Sequence, residues 1–186
     1  MTLLPRMIVP SEAATRRART TGVAERGTVA GSISMSTTQI EGLDHTVHLT
    51  NEWLRDISQQ LGDDNRRHAY LALRGTLHAL RDFLPIDESA HLSAQLPTLV
   101  RGIYFEGWDP SDTPAEDRSR EAFLGRVEQA LERALWNEES AITAEQAARA
   151  VLGVLTERVT SGEIAQVRHV LPEPVRALWP DGTISR

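Results

Sequence analysis

The residues best placed to do chemistry are arginines that recur at a fixed interval. Arg74 and Arg149 lie 75 positions apart, and so do Arg101 and Arg176. Glu88 and Glu163 keep the same interval. A guanidinium carries a planar fork of donors that fits a carboxylate or a phosphate. Arginine is seldom kept inside a protein for packing alone, so two matched pairs admit two readings. The preferred one is an ion pair that fastens one helix to the next, with Arg74 or Arg149 on Glu88 or Glu163. The other is an anion site between two related halves, which would take a small phosphorylated or carboxylated ligand or a partner's acidic segment. The glutamates themselves are expected to serve as helix caps. Trp108, in a Gly-Trp-Asp-Pro turn, is expected to be partly exposed. It either covers the end of a helix bundle or anchors a partner.

Other reactive types are sparse. His45 and His48 share a helix face at metal-ligand spacing, but they lack a third ligand and no His-Glu-x-x-His pattern occurs. They are expected on the outer side of the first helix. His68, His78, His91 and His169 fall into no recognisable nucleophilic arrangement. The chain has no cysteine, and all 20 of its fixed positive charges are arginine. Thiolate chemistry, lysine Schiff bases and a Gly-Lys-Ser/Thr phosphate loop are therefore absent. No catalytic residue, cofactor or metal is assigned, and the balance leans away from an enzyme.

Those residues need elements to hold them. Tyr70–Tyr104 and Glu145–Trp179 align without a gap at the offset of 75, with ten identities in 35 positions, against about two from composition alone. Besides the charged pairs, the identities are Ala72/Ala147, Leu77/Leu152, Leu80/Leu155, Ala90/Ala165, Leu96/Leu171, Pro97/Pro172 and Val100/Val175. A first helix is predicted from about Thr38 to Leu61, with Ile40, Leu43, Val47, Leu54, Ile57 and Leu61 on its buried face. Gly62 stops it. Asp63 or Asp64 caps a second helix, whose seam is Tyr70, Leu73, Leu77, Leu80 and Leu84. Ile86 as staple and Asp87 as cap open a short third helix. Leu99, Val100, Ile103 and Tyr104 form the buried face of a fourth.

The stretch from Gly107 to Pro114 is a linker. Beyond it, a helix is predicted from Ala115 to Trp136, with Phe123, Leu124, Val127, Leu131, Ala134 and Leu135 turned inward. Thr143 with Gln146, and Thr160 with Glu163, read as capping boxes for the next two helices. A last helix runs from Pro172 to Trp179, and Tyr104 and Trp179 are expected to plug the core. The expected fold is all-α: one helical domain over 39–181, built from halves 39–108 and 115–181 that pack about a pseudo-twofold axis.

The formal net charge of −6 weighs against nucleic-acid binding. Residues 1–34 carry five arginines and two acids. Residues 1–38 read as a disordered leader with no secretory signal, and Met35 offers an alternative start. No apolar run is long enough to span a bilayer, so a cytoplasmic location is expected.

Ala-Leu-Arg-Gly-Thr-Leu-His-Ala-Leu-Arg-Asp-Phe-Leu-Pro at 72–85 and Ala-Gln-Leu-Pro-Thr-Leu-Val-Arg-Gly-Ile-Tyr-Phe-Glu-Gly-Trp at 94–108 are followed by Ser-Gly-Glu-Ile at 161–164 and Leu-Pro-Glu-Pro-Val-Arg-Ala-Leu-Trp-Pro at 171–180. Together they resemble a bacterial family known as domain of unknown function 2267, over about residues 42–181. The resemblance implies a compact, soluble, all-helical protein. It carries no established activity or site, so none is transferred. The expected function is a non-enzymatic module that binds another protein or itself. The alternatives are a binder of a small anionic ligand through Arg74, Arg101, Arg149 and Arg176, and weak nucleic-acid binding through helix-turn-helix-like halves.

Overall fold

Leu73, Leu77, Leu80 and Phe83 recur at helical spacing, and all four are fully buried on one helix, α2 (Arg66–Phe83). In the computed structural model, which describes residues 40–134 and 142–180, α2 packs on α1 (Glu41–Leu61), α4 (Thr98–Phe105), α5 (Arg120–Ala134) and α6 (Ala144–Arg158). The remaining helices are α3 (Ile86–Gln95), α7 (Ser161–Val170) and α8 (Glu173–Arg176), with a 3-10 turn at Pro110–Asp112. The described residues contain no strand. The expected leader lies outside them, as do Leu135, Trp136 and residues 181–186.

Local signals set many of the helix ends. Gly62 takes a left-handed φ of 66° and closes α1, a conformation that glycine adopts without a Cβ clash. Thr143 and Gln146 form the expected capping box: the Gln146 amide donates to Thr143 Oγ1 at 3.2 Å, and the Thr143 amide donates to Gln146 Oε1 at 2.9 Å. Other ends differ from expectation. The cap of α2 is Asn65, whose side chain accepts from the Arg67 amide at 3.0 Å. Asp63 sits two residues earlier, accepting from the Asn65 amide at 2.8 Å and pairing with His68 at 2.6 Å. Pro85 caps α3 without a side-chain bond, and Ile86 is half exposed rather than a staple. The box expected at Thr160 and Glu163 does not form.

α5 begins at Arg120 rather than Ala115. The Ala115 amide donates to the Asp82 carbonyl at 2.7 Å, and Arg118 donates to the Phe83 carbonyl at 2.9 Å. Those bonds hold the segment against the C-terminal end of α2, so Ser119 becomes the residue that accepts from the Ala122 amide. α8 is shorter than expected, ending at Arg176, though Leu178 and Trp179 remain buried. As expected, Tyr104 is buried too.

α1 keeps its period but not its cover. Thr50, Trp53, Ile57 and Ser58 are buried, whereas Ile40, Leu43 and Val47 are 58%, 47% and 41% exposed. The bundle encloses only the second half of this helix. Arg158 of α6 ties that half down by hydrogen-bonding Asp56 through both Nε and Nη2, with its guanidinium 5.9 Å from the Trp53 ring. Tyr70 on α2 and Leu99 on α4 also stay partly exposed, contrary to their expected places in the core.

The lengths follow a pattern. α3 and α7 begin and end 75 residues apart, α2 and α6 end 75 apart, and α4 and α8 begin 75 apart. α2 packs on α6, α3 packs on α7, and α1 lies on α6 as α5 lies on α2.

Candidate functional site

The Leu171-Pro172 corner turns the chain from α7 into α8. Leu171 and Val175 are buried on either side of it and hold the two helices together. Arg168 and His169 occupy the last turn of α7, and Arg176 closes α8. The corner therefore brings residues from both helices onto one cleft of about 520 Å³, lined by Arg168, His169, Glu173, Arg176 and Trp179. That volume suits a small ligand or a single side chain with its neighbours, since ligand clefts typically span about 300–1,000 Å³.

The cleft's basic side chains are uncommitted. Among the described residues, the side chains of Arg168, His169 and Arg176 have no hydrogen-bond or ion-pair partner. Arg168 and His169 complement the negative end of the α7 dipole, a role that leaves their donors free. Trp179 forms an apolar wall; it is buried, and its indole N–H has no partner. Glu173 is the only acid on the lining. In a chain of net charge −6, this is a local concentration of positive charge with an aromatic floor.

The other recurring arginines are occupied. Arg74 Nε donates to Glu106 Oε2 at 2.7 Å, and that bond holds the Glu106 carboxyl below the usual range. Arg149 pairs with Glu145 at 3.0 Å on its own helix, where Arg120 also reaches Glu145 at 2.7 Å. Arg101 donates to the Ser93 and Leu96 carbonyls at 2.8 and 3.2 Å, closing the end of α3. None of these partners is Glu88 or Glu163, so the expected arginine–glutamate pairs do not form. Of the four recurring arginines, Arg176 alone lacks a partner. Trp108 is half-buried against Phe105, with ring centroids 5.0 Å apart, and its indole N–H is buried and unpartnered.

Several working side chains carried no signal in the sequence. Arg81 is 5% exposed and donates to the Tyr104 and Glu106 carbonyls at 2.6 and 2.7 Å. Arg118 joins the ends of α2 and α7 through the Phe83 and Val170 carbonyls. His78 donates from Nε2 to the Ile103 carbonyl at 2.7 Å; burial lowers its pKa, which keeps the ring neutral. Arg168 was legible only as a basic residue near a Leu-Pro corner. His45 and His48 are exposed, as expected, and no group of three or more metal-binding side chains occurs among the described residues.

The profile of a family described as an uncharacterized conserved protein, DUF2267, matches residues 50–183. The chain belongs to the DUF2267 family. No curated protein matches it. The DUF2267 match starts at Thr50, where burial on α1 begins, and it takes in every residue of the cleft. The exposed Ile40, Leu43 and Val47 precede it. None of the described helices is long and apolar enough to cross a membrane.

Proposed function

We propose that this DUF2267 chain is a non-enzymatic binding module that captures an anionic group, a carboxylate or a phosphate, in the α7–α8 cleft. The observation that carries this reading is the pair of unpartnered arginines, Arg168 and Arg176, facing one cleft beside Trp179. Guanidinium stays charged at all physiological pH and transfers no proton, so it holds an anion rather than reacting with it. Capture from a partner protein's acidic segment is favoured over a free small anion, because the cleft is open and would leave flanking residues of a chain room to continue. Nucleic acid is disfavoured by the acidic balance of the whole chain.

The same reading takes the fold as a duplicated unit. It is supported by the ten identities at one offset, by helix ends that repeat that offset, and by the way α2 meets α6 and α3 meets α7. If so, the anion cleft is a feature that only the second copy keeps, since Arg101, at the place of Arg176, is spent on α3.

Calorimetric titration with a glutamate-rich peptide and, separately, with inorganic phosphate tests the proposal. The peptide binds, and its affinity falls as salt is raised. Replacing both Arg168 and Arg176 with alanine weakens binding by about tenfold to a hundredfold, the range expected for losing charge-assisted hydrogen bonds. Equal binding by phosphate alone would assign the cleft to small anions. Unchanged affinity in the double variant would remove the cleft from the function altogether.

A further inference from the structure

We propose that Glu88 and Glu163 form a proton-controlled clasp between α3 and α7: a proton on Glu163 lets the helix contact close, and its loss sets two like charges against each other. The observation is independent of the anion cleft. Glu163 fits the sequence pattern of a capping residue, yet Thr160 makes no side-chain cap bond. Glu163 Oε1 is instead buried without a hydrogen-bond partner, and so is Glu88 Oε2. A buried carboxylate oxygen without a donor is costly, and protonation removes the charge that makes it so. The two residues lie on helices that pack on each other, at positions that match across the repeat.

The surroundings favour holding a proton. Desolvation pushes the Glu163 carboxyl up, and the Glu88 charge pushes it further. From α3, His91 acts the other way, and its ring is exposed. From α4, the Tyr104 phenol lies close enough to feel Glu163, but burial raises its own pKa and it stays neutral. α6, which also packs on α7, brings no charge that acts on Glu163. Among the described residues no arginine pairs with Glu88 or Glu163, in a protein that pairs Glu106 and Glu145 with arginine elsewhere.

The sign of the pH effect follows. A carboxyl whose folded pKa lies above its unfolded value binds more protons in the native state. Its stabilising contribution is fully present below the ordinary glutamate value and is lost as pH rises through the raised folded value. The proton goes to solvent, and the contact between α3 and α7 loosens.

The test uses the full chain and its Glu163→Gln and Glu88→Gln variants, melted from about pH 4 to about pH 8. Wild type loses melting temperature as pH rises above the ordinary glutamate range. Glu163→Gln, a neutral isostere, melts about 2–4 °C higher than wild type near pH 7 and follows a flatter profile. Carbon NMR of the glutamate carboxyls shows one group titrating above the usual range, and it moves back toward that range in Glu88→Gln without reaching it, since burial remains. A Glu163 carboxyl that titrates at or below the usual value would overturn the clasp. So would magnesium or calcium ions that stabilise wild type but not the glutamine variants, since the pair would then hold a cation instead of a proton.

Discussion

Replacing Arg81 with methionine lowers the unfolding free energy by about 3 kcal/mol, among the largest losses expected from any charged residue in this chain. Arg81 leaves α2 as a nearly buried side chain, and its Nη1 donates to the carbonyls of Tyr104 and Glu106. These are two of the last carbonyls of α4, which a helix cannot satisfy from within. Nε meanwhile lies 3.1 Å from Asp82 Oδ1. Methionine fills a similar volume but supplies no donor, so the Tyr104 carbonyl is stranded in the core and the Glu106 carbonyl loses its partner at the rim. Each such loss costs about 1–3 kcal/mol, offset in part by the apolar side chain that replaces the charge. Arg81→Lys keeps the charge yet loses the planar fork, and recovers roughly half of the loss. Urea unfolding followed by circular dichroism reads both variants. A methionine variant within about 0.5 kcal/mol of wild type would mean that α4 finds its cap elsewhere.

Gly75 bears the second large effect. It sits in mid-α2, where glycine costs about 1 kcal/mol relative to alanine in an unconstrained helix. A Cβ built there would meet Ala130 Cβ at 3.0 Å and the Val127 carbonyl at 3.4 Å, both on α5. Neither atom is the end of a flexible chain, so the helices themselves must part. Gly75→Val is expected to destabilise by about 3 kcal/mol, through overpacking and the separation of α2 from α5. Gly75→Ala loses about 1 kcal/mol net, because its propensity gain is outweighed. Adding Ala130→Gly to Gly75→Ala opens the space again and restores most of that loss. A double-mutant cycle with coupling near zero would show that the α2–α5 contact yields more easily than its spacing implies.

The same interface packs the Phe83 and Phe123 rings edge to face at 5.3 Å, with Arg126 stacked 5.2 Å over Phe83. Phe123 was legible as an inward residue from its helical spacing, whereas Phe83 stood outside the expected seam, which ran through Leu80 to Leu84. Their partnership was not legible, because Phe83 and Phe123 belong to helices separated by the linker and two short helices.

Features that depend on a few adjacent residues were readable. Thr143 with Gln146 forms its box because donors and acceptors three residues apart meet within one turn. Thr160 with Glu163 has the same spacing and fails. Glu163 Oε1 is buried instead and feels the Glu88 charge on α3, and the sequence near Thr160 contains nothing of α3. The stripe of α1 was correct in period, yet Ile40, Leu43 and Val47 remain exposed because periodicity does not state how far neighbouring helices extend. The recurring arginines show the same limit: Arg74 meets Glu106, 32 residues away, while Arg149 meets Glu145 within its own helix.

The sequence by itself determined the all-helical class, most of the helix stops and Leu-Pro corners, and membership of the DUF2267 family. Each rests on local geometry or on residue identity, and both are written along the chain. Only the tertiary structure decided which charged residues are spent and which are free. Arg158 is consumed by Asp56 across 102 residues, and Arg118 by Val170 across 52, whereas Arg168 and Arg176 are left facing an open cleft. An arginine's side chain is long and its charge is satisfied by whatever carbonyl or carboxylate the fold brings near. That choice is made by how helices are juxtaposed, and no short window of sequence contains it.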